Sequence, residues 1–213
     1  MIPEKQRYEN LEKFTPDVVG RYDIPVIKAD KVYFSGFIGF NYAATAKDRA
    51  EKAVHFFLDD YQFFRVWNRP RDYINTLSKF ACVLSPDFSL YTDFPVAMQI
   101  YNHYRKHWLG AYWQSLGIKV IPTVCWSDER SFDWCFDGEP VGGVVAVSSV
   151  GTQNSRAAKA AFLRGYEAMC ERLCPSKIIF YGSVPDECRG NIIHIKSFQD
   201  KFREPKKSAW LTQ

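Results

Sequence analysis

The stretch GVVAVSSVGTQNSRAAKAAFLRGYEAMCERLCPSKIIFYG (143–182) decides the fold class of this chain. It opens with an apolar, β-prone run at residues 143–147 and closes with a second such run at residues 177–180. Between these runs, residues 155–174 have the spacing of an amphipathic helix, which Pro175 ends. Continuous apolar strands joined by helices are typical of parallel sheets that helices cover. The stretch therefore predicts a strand–helix–strand unit of an α/β protein.

The same pattern extends in both directions from this unit. Apolar strand-like runs lie at residues 54–58, 81–84, 119–125, 143–147, 177–180 and 192–195, and helix-like segments lie at 42–52, 71–80, 95–116 and 155–174. The spacing predicts one α/β domain over residues 1–213, with a mostly parallel sheet of about six strands and helical crossovers. The apolar runs at 24–27 and 32–40 could form a short strand pair or wrap the core. If they complete the sheet, a partial or TIM-like barrel results.

Composition and charge narrow the class of protein. Hydrophobic residues make up 46% of the 213 residues, which is enough for a sizeable core and argues against disorder. The net charge of +4 is only mildly basic for a nucleic-acid binder. Residues 1–20 form a polar N-terminal arm, and residues 201–213 form a basic tail with Lys201, Arg203, Lys206 and Lys207. That tail is either a solvated end or a nucleic-acid-binding arm that tracks phosphates.

Sequence features also bear on location. Residues 1–10 are polar and charged, unlike a signal peptide, and no apolar run approaches the roughly 18 residues that span a bilayer. We therefore expect a cytoplasmic protein without a membrane partner. The six cysteines would then be reduced thiols.

The loop SPDFSLYTD (85–93) supplies the leading catalytic candidates. In parallel α/β folds, ligands bind beyond the carboxyl ends of the strands, and this loop joins such an end to the longest helix. Asp87 and Asp93 could act as acid and base or bind a divalent cation. The alternative is that Asp87 forms a turn and Asp93 stabilises a helix start.

Residues after the other strands are candidates for substrate binding. Asp60 follows the first strand run, and Trp126 and Tyr181 follow later ones, where their rings could stack on a substrate. Arg105 shares a helix face with Gln99 and Asn102 and would bind a phosphate or carboxylate if that face meets the cleft. Facing outward, the same set would be ordinary solvated surface.

A second loop precedes the helix at residues 155–174. Ser148, Ser149 and Gly151 could cradle a phosphate with free backbone N–H groups at the helix N-terminus. The Walker and dinucleotide glycine patterns are both absent from the chain, and simple helix capping explains the loop equally well.

Histidine and cysteine patterns are weaker signals. His103 and His107 are four residues apart on a predicted helix, but Tyr104 replaces the glutamate of the zincin pattern. The cysteines lack the short spacing of zinc ribbons, and no Gly-x-Ser-x-Gly elbow is present. Cys135 lies near the predicted functional edge, although no partner histidine can be assigned to it.

Several segments together resemble a known family. They are SPDFSLYTDFP (85–95), QIYNHYR (99–105), GAYWQSLGIKVIPTVCW (110–126), CFDGEP (135–140), VAVSSVG (145–151) and IIFYG (178–182). They are similar to an uncharacterised domain family of unknown function carried by bacteria, phages and mobile genetic elements. The resemblance implies a phage or mobile-element setting and transfers no catalytic role to any residue.

Two functions remain open from the sequence. The first is an enzyme that acts on a nucleotide or nucleic acid, with Asp87 as its leading acid, base or metal ligand. The second is a non-catalytic binding protein for nucleic acid or for a replication, packaging or host-defence component of the phage or host. The cofactor is unknown, and a divalent cation is compatible with the paired carboxylates.

Overall fold

The structure, a computed structural model, describes residues 12–198. The strands are β1 (Val18–Val19), β2 (Ile24–Pro25), β3 (Gly36–Gly39), β4 (Lys52–His55), β5 (Cys82–Leu84), β6 (Val120–Ile121), β7 (Val144–Ser148), β8 (Lys177–Tyr181) and β9 (Ile192–Ile195). The α-helices are α1 (Phe64–Asn68), α2 (Arg71–Leu77), α3 (Val96–Ser115) and α4 (Arg156–Leu173). Short 3₁₀ helices cover Phe40–Thr45, Arg49–Glu51, Asp60–Gln62 and Glu129–Asp133.

Parallel strands in chain order form the centre of the fold. β3, β4, β5 and β6 make a four-stranded sheet, and β7, β8 and β9 make a three-stranded sheet. This confirms the predicted α/β class with parallel strands and helices. The single sheet of about six strands is not formed, because the strands divide into two sheets between β6 and β7. β6 has only two residues, and Pro122 directly after it has no N–H to continue the ladder.

A single bridge spans this division. Thr123 pairs with Ala146 in parallel, and the amides of Val124 and Ala146 donate to the carbonyls of Ala146 and Pro122 at 2.8 and 2.9 Å. Within residues 12–198, β3 and β9 do not pair, so the predicted TIM-like barrel is not closed. The short contact between β6 and β7 therefore holds the two sheets edge to edge.

The strands are apolar on both faces because both faces are buried. On one face, strands of both sheets contribute to a shared cluster of Ala53, Cys82, Leu84, Ile121, Ala146 and Ile179. On the other face, Val54 and Val83 pack into a cluster with α3, whereas Val145 and Phe180 pack into a cluster with α4. This arrangement explains the continuous apolar runs of the sequence.

Several predicted elements differ from those observed. The helix predicted over residues 42–52 is replaced by two 3₁₀ helices, with extended backbone at Ala46 and a left-handed Asp48 between them. β2 pairs with β1 in an antiparallel hairpin, and β3 pairs with β4 instead of with β2. The predicted arm at residues 1–20 lies partly outside the described residues, and its last residues contribute β1.

The two long helices agree closely with the predictions. At α4, the Ser155 hydroxyl accepts a hydrogen bond from the amide of Ala158 at 3.0 Å, which caps the helix. Gly117 follows α3 with φ of +80°, the conformation typical of a helix end. α3 is buried over most of its length, and its polar residues are buried with the rest. No helix between residues 12 and 198 combines the length and apolarity needed to cross a membrane.

A tight contact fixes α4 against the end of β6. The ring of Trp126 lies against Gly165 of α4 and within 5.3 Å of the Phe162 ring, measured between centroids. A Cβ atom on residue 165 would meet the Trp126 Nε1 atom at 2.1 Å. The glycine therefore permits this close packing, although glycine has a lower helix propensity than alanine.

We predict that Gly165→Ala destabilises the protein by about 1–3 kcal/mol, because overpacking outweighs the gain in helix propensity of about 1 kcal/mol. Urea unfolding followed by circular dichroism measures the change. The double variant Gly165→Ala with Trp126→Leu is the control, and it should recover part of the loss. Equal stability of Gly165→Ala and the parent protein would contradict this packing.

Candidate functional site

Polar groups gather at the carboxyl ends of β5 and β6, where α3 packs against the strands. The amide of Thr123 donates to the Ser85 hydroxyl at 2.8 Å, and the Thr123 hydroxyl donates to the Ser85 carbonyl at 2.8 Å. These hydrogen bonds align the two chain segments that leave the strands. Asp87 and Cys125 follow directly on those segments, so the fold brings them to the same end of the sheet.

A buried lysine lies at the centre of this site. Lys106 projects from α3 and donates to the Thr123 carbonyl at 2.7 Å, and its Nζ lies 3.3 Å from Glu139 Oε1. The same ammonium contacts Cys125 Sγ at 3.7 Å. The side chains of Lys106 and Glu139 are both 0% exposed. Burial of a charge is costly unless it is paired, so Glu139 and the Thr123 carbonyl are essential to this lysine.

Two histidines extend the buried network. His107 Nε2 lies 3.0 Å from Glu139 Oε1, and His107 Nδ1 lies 2.9 Å from the Pro25 carbonyl oxygen. His103 Nε2 lies 3.1 Å from the Asp137 carbonyl oxygen. Burial and the neighbouring His107 hold the pKa of His103 well below its ordinary value. The proposed histidine pair thus has three of its four ring nitrogens directed at protein oxygens.

Asp87 is the titratable carboxylate at the outer side of this network. It is partly buried, and burial raises its pKa to about 6, with a further increase from Asp60 and an opposing effect from Lys106. Burial disfavours the charge of Lys106, but its acidic neighbours, among them Glu139 and Asp87, outweigh that cost and hold its pKa above the ordinary value. A carboxylic acid with a raised pKa therefore lies within the electrostatic reach of a charged amine.

Asp60 is joined to the Asp87 loop by hydrogen bonds. The amide and hydroxyl of Ser89 donate to its two carboxylate oxygens at 3.2 and 2.9 Å. Asn102 of α3 donates to the Ser89 carbonyl at 2.7 Å. The structure thus brings Asp60 and Asp87, which are far apart in the sequence, to the same surface.

Arg105 is stacked among aromatic rings. Its guanidinium carbon lies 3.7 Å from the centroid of Phe88, 4.5 Å from that of Phe64 and 5.3 Å from that of Tyr101. The residue is only 4% exposed. Asp93, by contrast, lies exposed in the turn before α3. The face of α3 that carries Arg105 is therefore buried, and it is not the solvated surface that the sequence left open as an alternative.

The predicted stacking residues lie in different surroundings. Trp126 packs against α4, as described above, and is partly buried. The ring of Tyr181 lies among those of Phe37, His55 and Phe57, with centroid distances of 6.0, 4.9 and 4.9 Å. These four rings fill the interior face at the strand ends, and the Tyr181 hydroxyl accepts a hydrogen bond from the Phe198 amide at 3.2 Å.

The serine loop after β7 is held by its own hydrogen bonds. The Ser149 hydroxyl donates to the Ser183 carbonyl at 2.7 Å and so connects the loops after β7 and β8. The Ser148 hydroxyl accepts from the Val150 amide at 3.2 Å, and Gly151 is exposed with φ of +80°. The helix cap is Ser155, further along the chain. The predicted nucleic-acid-binding residues Lys201, Arg203, Lys206 and Lys207 lie outside the described residues.

Thiols and metal ligands offer little further chemistry. Burial raises the pKa of Cys135 to about 12, so its reactive thiolate is scarce near neutral pH. Across residues 12–198, no group of three or more histidine, cysteine, aspartate or glutamate side chains is arranged to hold a metal ion. Any divalent cation at Asp60 and Asp87 would need water or substrate oxygens as further ligands.

Sequence reasoning missed the buried residues of the site. Lys106, His107 and Glu139 were not assigned a shared role, since a lone lysine on a helix is ordinarily solvated. One signal was present, because residues 105–113 (RKHWLGAYW) leave little room for a solvated helix face. The pairing of this helix with Glu139, more than thirty residues later, is visible only in the fold.

Comparison with known proteins identifies a domain family and relatives in mycobacteriophages. The family model described as "Domain of unknown function (DUF4417)" matches residues 16–199. The chain is 45% identical over 132 residues to the Gene 1 protein of Mycobacterium phage L5, covering 62% of this chain and 58% of that protein. It is 40% identical over 161 residues to the Gene 1 protein of Mycobacterium phage D29, covering 74% of this chain and 60% of that protein. The chain thus spans less than two thirds of either relative, and no solved structure matches it.

We predict that Asp87→Asn stabilises the protein above pH 6 by about 1–3 kcal/mol. The pKa of Asp87 rises from 3.8 to about 6 on folding. The folded protein therefore binds more protons between these values, and its stability falls as the pH rises through that window. Asparagine stays neutral and removes this slope. Urea unfolding at several pH values measures it, with the exposed Asp133→Asn as control; an unchanged slope in Asp87→Asn would contradict the assignment.

We also predict that Asp60→Asn lowers the pKa of Asp87, because it removes a nearby negative charge that favours the protonated acid. Carbon-13 NMR of the aspartate carboxyl groups during a pH titration measures the midpoint. Asp59→Asn is the matched control, since Asp59 is exposed and adjacent in the chain. A midpoint that moves upward, or that moves equally in both variants, would refute the coupling.

Proposed function

We propose that this chain, which belongs to the phage-associated DUF4417 family, is an enzyme that acts on a nucleotide or nucleic acid through Asp87. The observation that carries the proposal is a partly buried carboxylic acid with a pKa of about 6 at the carboxyl end of a parallel strand. Ligands bind at this end of parallel α/β sheets. Asp87 would serve as the group that gives or takes a proton.

The chemistry of Asp87 supports a role in proton transfer. A general acid or base is most effective when its pKa lies near the working pH, and burial is a common way to raise a carboxyl group to that range. An ordinary surface aspartate is fully ionised at neutral pH and is a poor acid. Retention of a partly protonated acid costs stability, and a functional site is where such a cost is typically found.

The substrate would approach Asp87 from the loop side of the strand ends. The interior side is filled by Phe37, His55, Phe57 and Tyr181, whose rings pack against one another. In this proposal the two sheets form a partial barrel, because strands of both sheets share one interior cluster. Within such a barrel, these rings would act as a plug and direct ligands towards the loop that carries Asp87.

The surface around Asp87 supports a base-containing substrate. Tyr61 directly follows Asp60 in the chain and is 77% exposed, and Tyr91 belongs to the loop that carries Asp87 and is 59% exposed. Exposed rings of this kind can stack on bases with little dependence on sequence. The net charge of +4 favours an anionic substrate in general.

The proposal keeps the other candidate residues of the sequence. The proposed phosphate contacts are Ser148, Ser149 and Gly151, and the further proposed binding residues are Trp126 and Arg105. The proposed location is the host cytoplasm.

A second candidate is a non-catalytic binding protein, and the clustered cations of residues 201–213 favour it. Those residues also lie beyond the part of the chain that the family model matches. In this case a tail-deleted protein would lose salt-dependent binding of nucleic acid, whereas Asp87→Asn would bind normally. The two candidates thus differ in which variant loses function.

We expect the purified full chain to convert or bind a member of a panel of nucleoside phosphates and short single-stranded oligonucleotides. Liquid chromatography with mass spectrometry follows conversion, with and without Mg²⁺, and thermal shift follows binding. Asp87→Asn should reduce conversion by about a hundredfold or more while it remains folded. Asp133→Asn should leave conversion unchanged. The proposal fails if no compound is converted, or if Asp87→Asn is as active as the parent protein.

A further inference from the structure

We infer that Lys106, Glu139 and His107 are positioning residues for Asp87, because a proton held between His107 and Glu139 leaves the Lys106 ammonium to act on Asp87. This inference rests on the proposed function and deepens it, since it identifies what controls the charge of the reacting group.

The number of protons on His107 follows from its two neighbours. Its Nδ1 atom lies 2.9 Å from the Pro25 carbonyl oxygen, which can only accept, so Nδ1 carries a proton. Its Nε2 atom lies 3.0 Å from Glu139 Oε1. Two bare lone pairs at that distance would repel, so a second proton lies between these atoms. Burial lowers the pKa of His107 below its ordinary value, although Glu139 opposes this effect, and the proton is shared whichever atom holds it more strongly.

The second carboxylate oxygen of Glu139 agrees with a shared proton. Glu139 Oε2 is buried and has no hydrogen-bond partner within the described part of the chain. A fully ionised carboxylate in such surroundings would leave a charged oxygen unsatisfied, at a high cost in free energy. Burial opposes ionisation of Glu139, although His107 and Lys106 together hold its pKa below the ordinary value. A proton shared with His107 reduces the charge that the bare oxygen must carry.

The remaining charge of the network is positive. A Glu139 carboxylate and a His107 imidazolium cancel, as do their neutral forms, so the charge of Lys106 is left without full compensation. Lys106 Nζ lies 3.7 Å from Cys125 Sγ, and Cys125 and Asp87 follow the paired strands β6 and β5 at the same end of the sheet. Asp87, Cys125 and Glu139 raise the pKa of Lys106, and His103, His107 and Cys135 also lie within reach of its charge. The groups that face Asp87 are Lys106, Asp60 and Cys125. Burial keeps Cys125 a neutral thiol, so Asp87 is the acidic group that balances the lysine.

A fully compensated ion pair is the rival explanation. If Glu139 alone carried a full negative charge and His107 were neutral, Lys106 and Glu139 would cancel and Asp87 would gain little from them. The two descriptions share every distance in the structure but differ by one proton. They therefore predict different titrations of Asp87 when the pair is removed.

Nitrogen-15 NMR of the full chain labelled in histidine tests the proton count without any substitution. We expect both nitrogens of His107 to show a bound or shared proton across neutral pH. His103 provides an internal reference, because its Nε2 faces a carbonyl and its Nδ1 has no partner among residues 12–198. A His107 Nε2 that neither carries a proton nor accepts one in a hydrogen bond would overturn the inference.

The double variant Lys106→Met with Glu139→Gln replaces the pair by neutral side chains of similar size. Carbon-13 NMR should then show the midpoint of Asp87 rising by about one pH unit, since a net positive charge has been removed. An unchanged midpoint would indicate a compensated pair and refute the inference. Lys119→Met is the matched control, because Lys119 is exposed at the start of β6, and it should leave Asp87 unchanged.

These outcomes separate the inference from the proposed function. If Asp87 titrates near pH 4 in the parent protein, the observation that carries the proposed function is lost. If Asp87 titrates near pH 6 but ignores the double variant, only the positioning role is wrong. If the pH dependence of activity shifts together with the Asp87 midpoint across the variants, both the proposed function and the positioning role are supported. A purely structural network would not move the pH profile of catalysis.

Discussion

The buried ammonium group of Lys106 is the constraint on which this end of the molecule depends. It lies on α3, a helix with almost no solvated face, and its partners come from two other parts of the chain: Thr123 after β6 and Glu139 beyond the next 3₁₀ helix. An unpaired charge in that position would be too costly to retain. The network therefore fixes how α3, β6 and the segment before β7 fit together, and the same atoms determine the electrostatic surroundings of Asp87.

Much of the fold was predictable because burial leaves a plain signature in the sequence. The runs that became β7 and β8 are apolar on both faces, and helix α4 between them has a capping serine and a closing proline. The failures have local causes. β6 is short because Pro122 interrupts its ladder, and residues 42–52 form 3₁₀ helices since a left-handed residue at Asp48 breaks any longer helix. Local sequence does not state how strands group into sheets.

The sequence predicted the location of the candidate site better than it predicted the residues that form it. The rule that ligands bind at strand carboxyl ends led to Asp87 and Asp60, which the fold brings to one surface. The rule did not lead to Lys106, His107 and Glu139, whose importance comes from contacts across long chain separations. Arg105 illustrates the same difficulty, because its sequence spacing fits a polar helix face, whereas the fold places it among aromatic rings.

The chain-order arrangement of the parallel strands has a consequence for biogenesis. Each of β4, β5 and β6 pairs with the strand made just before it, and so do β8 and β9. Pairing of each strand with the preceding one allows structure to build progressively as the ribosome releases the chain. The contact of His107 on α3 with Glu139 cannot form until residue 139 has emerged. The charged centre would then be assembled late, on a scaffold of sheet that already exists.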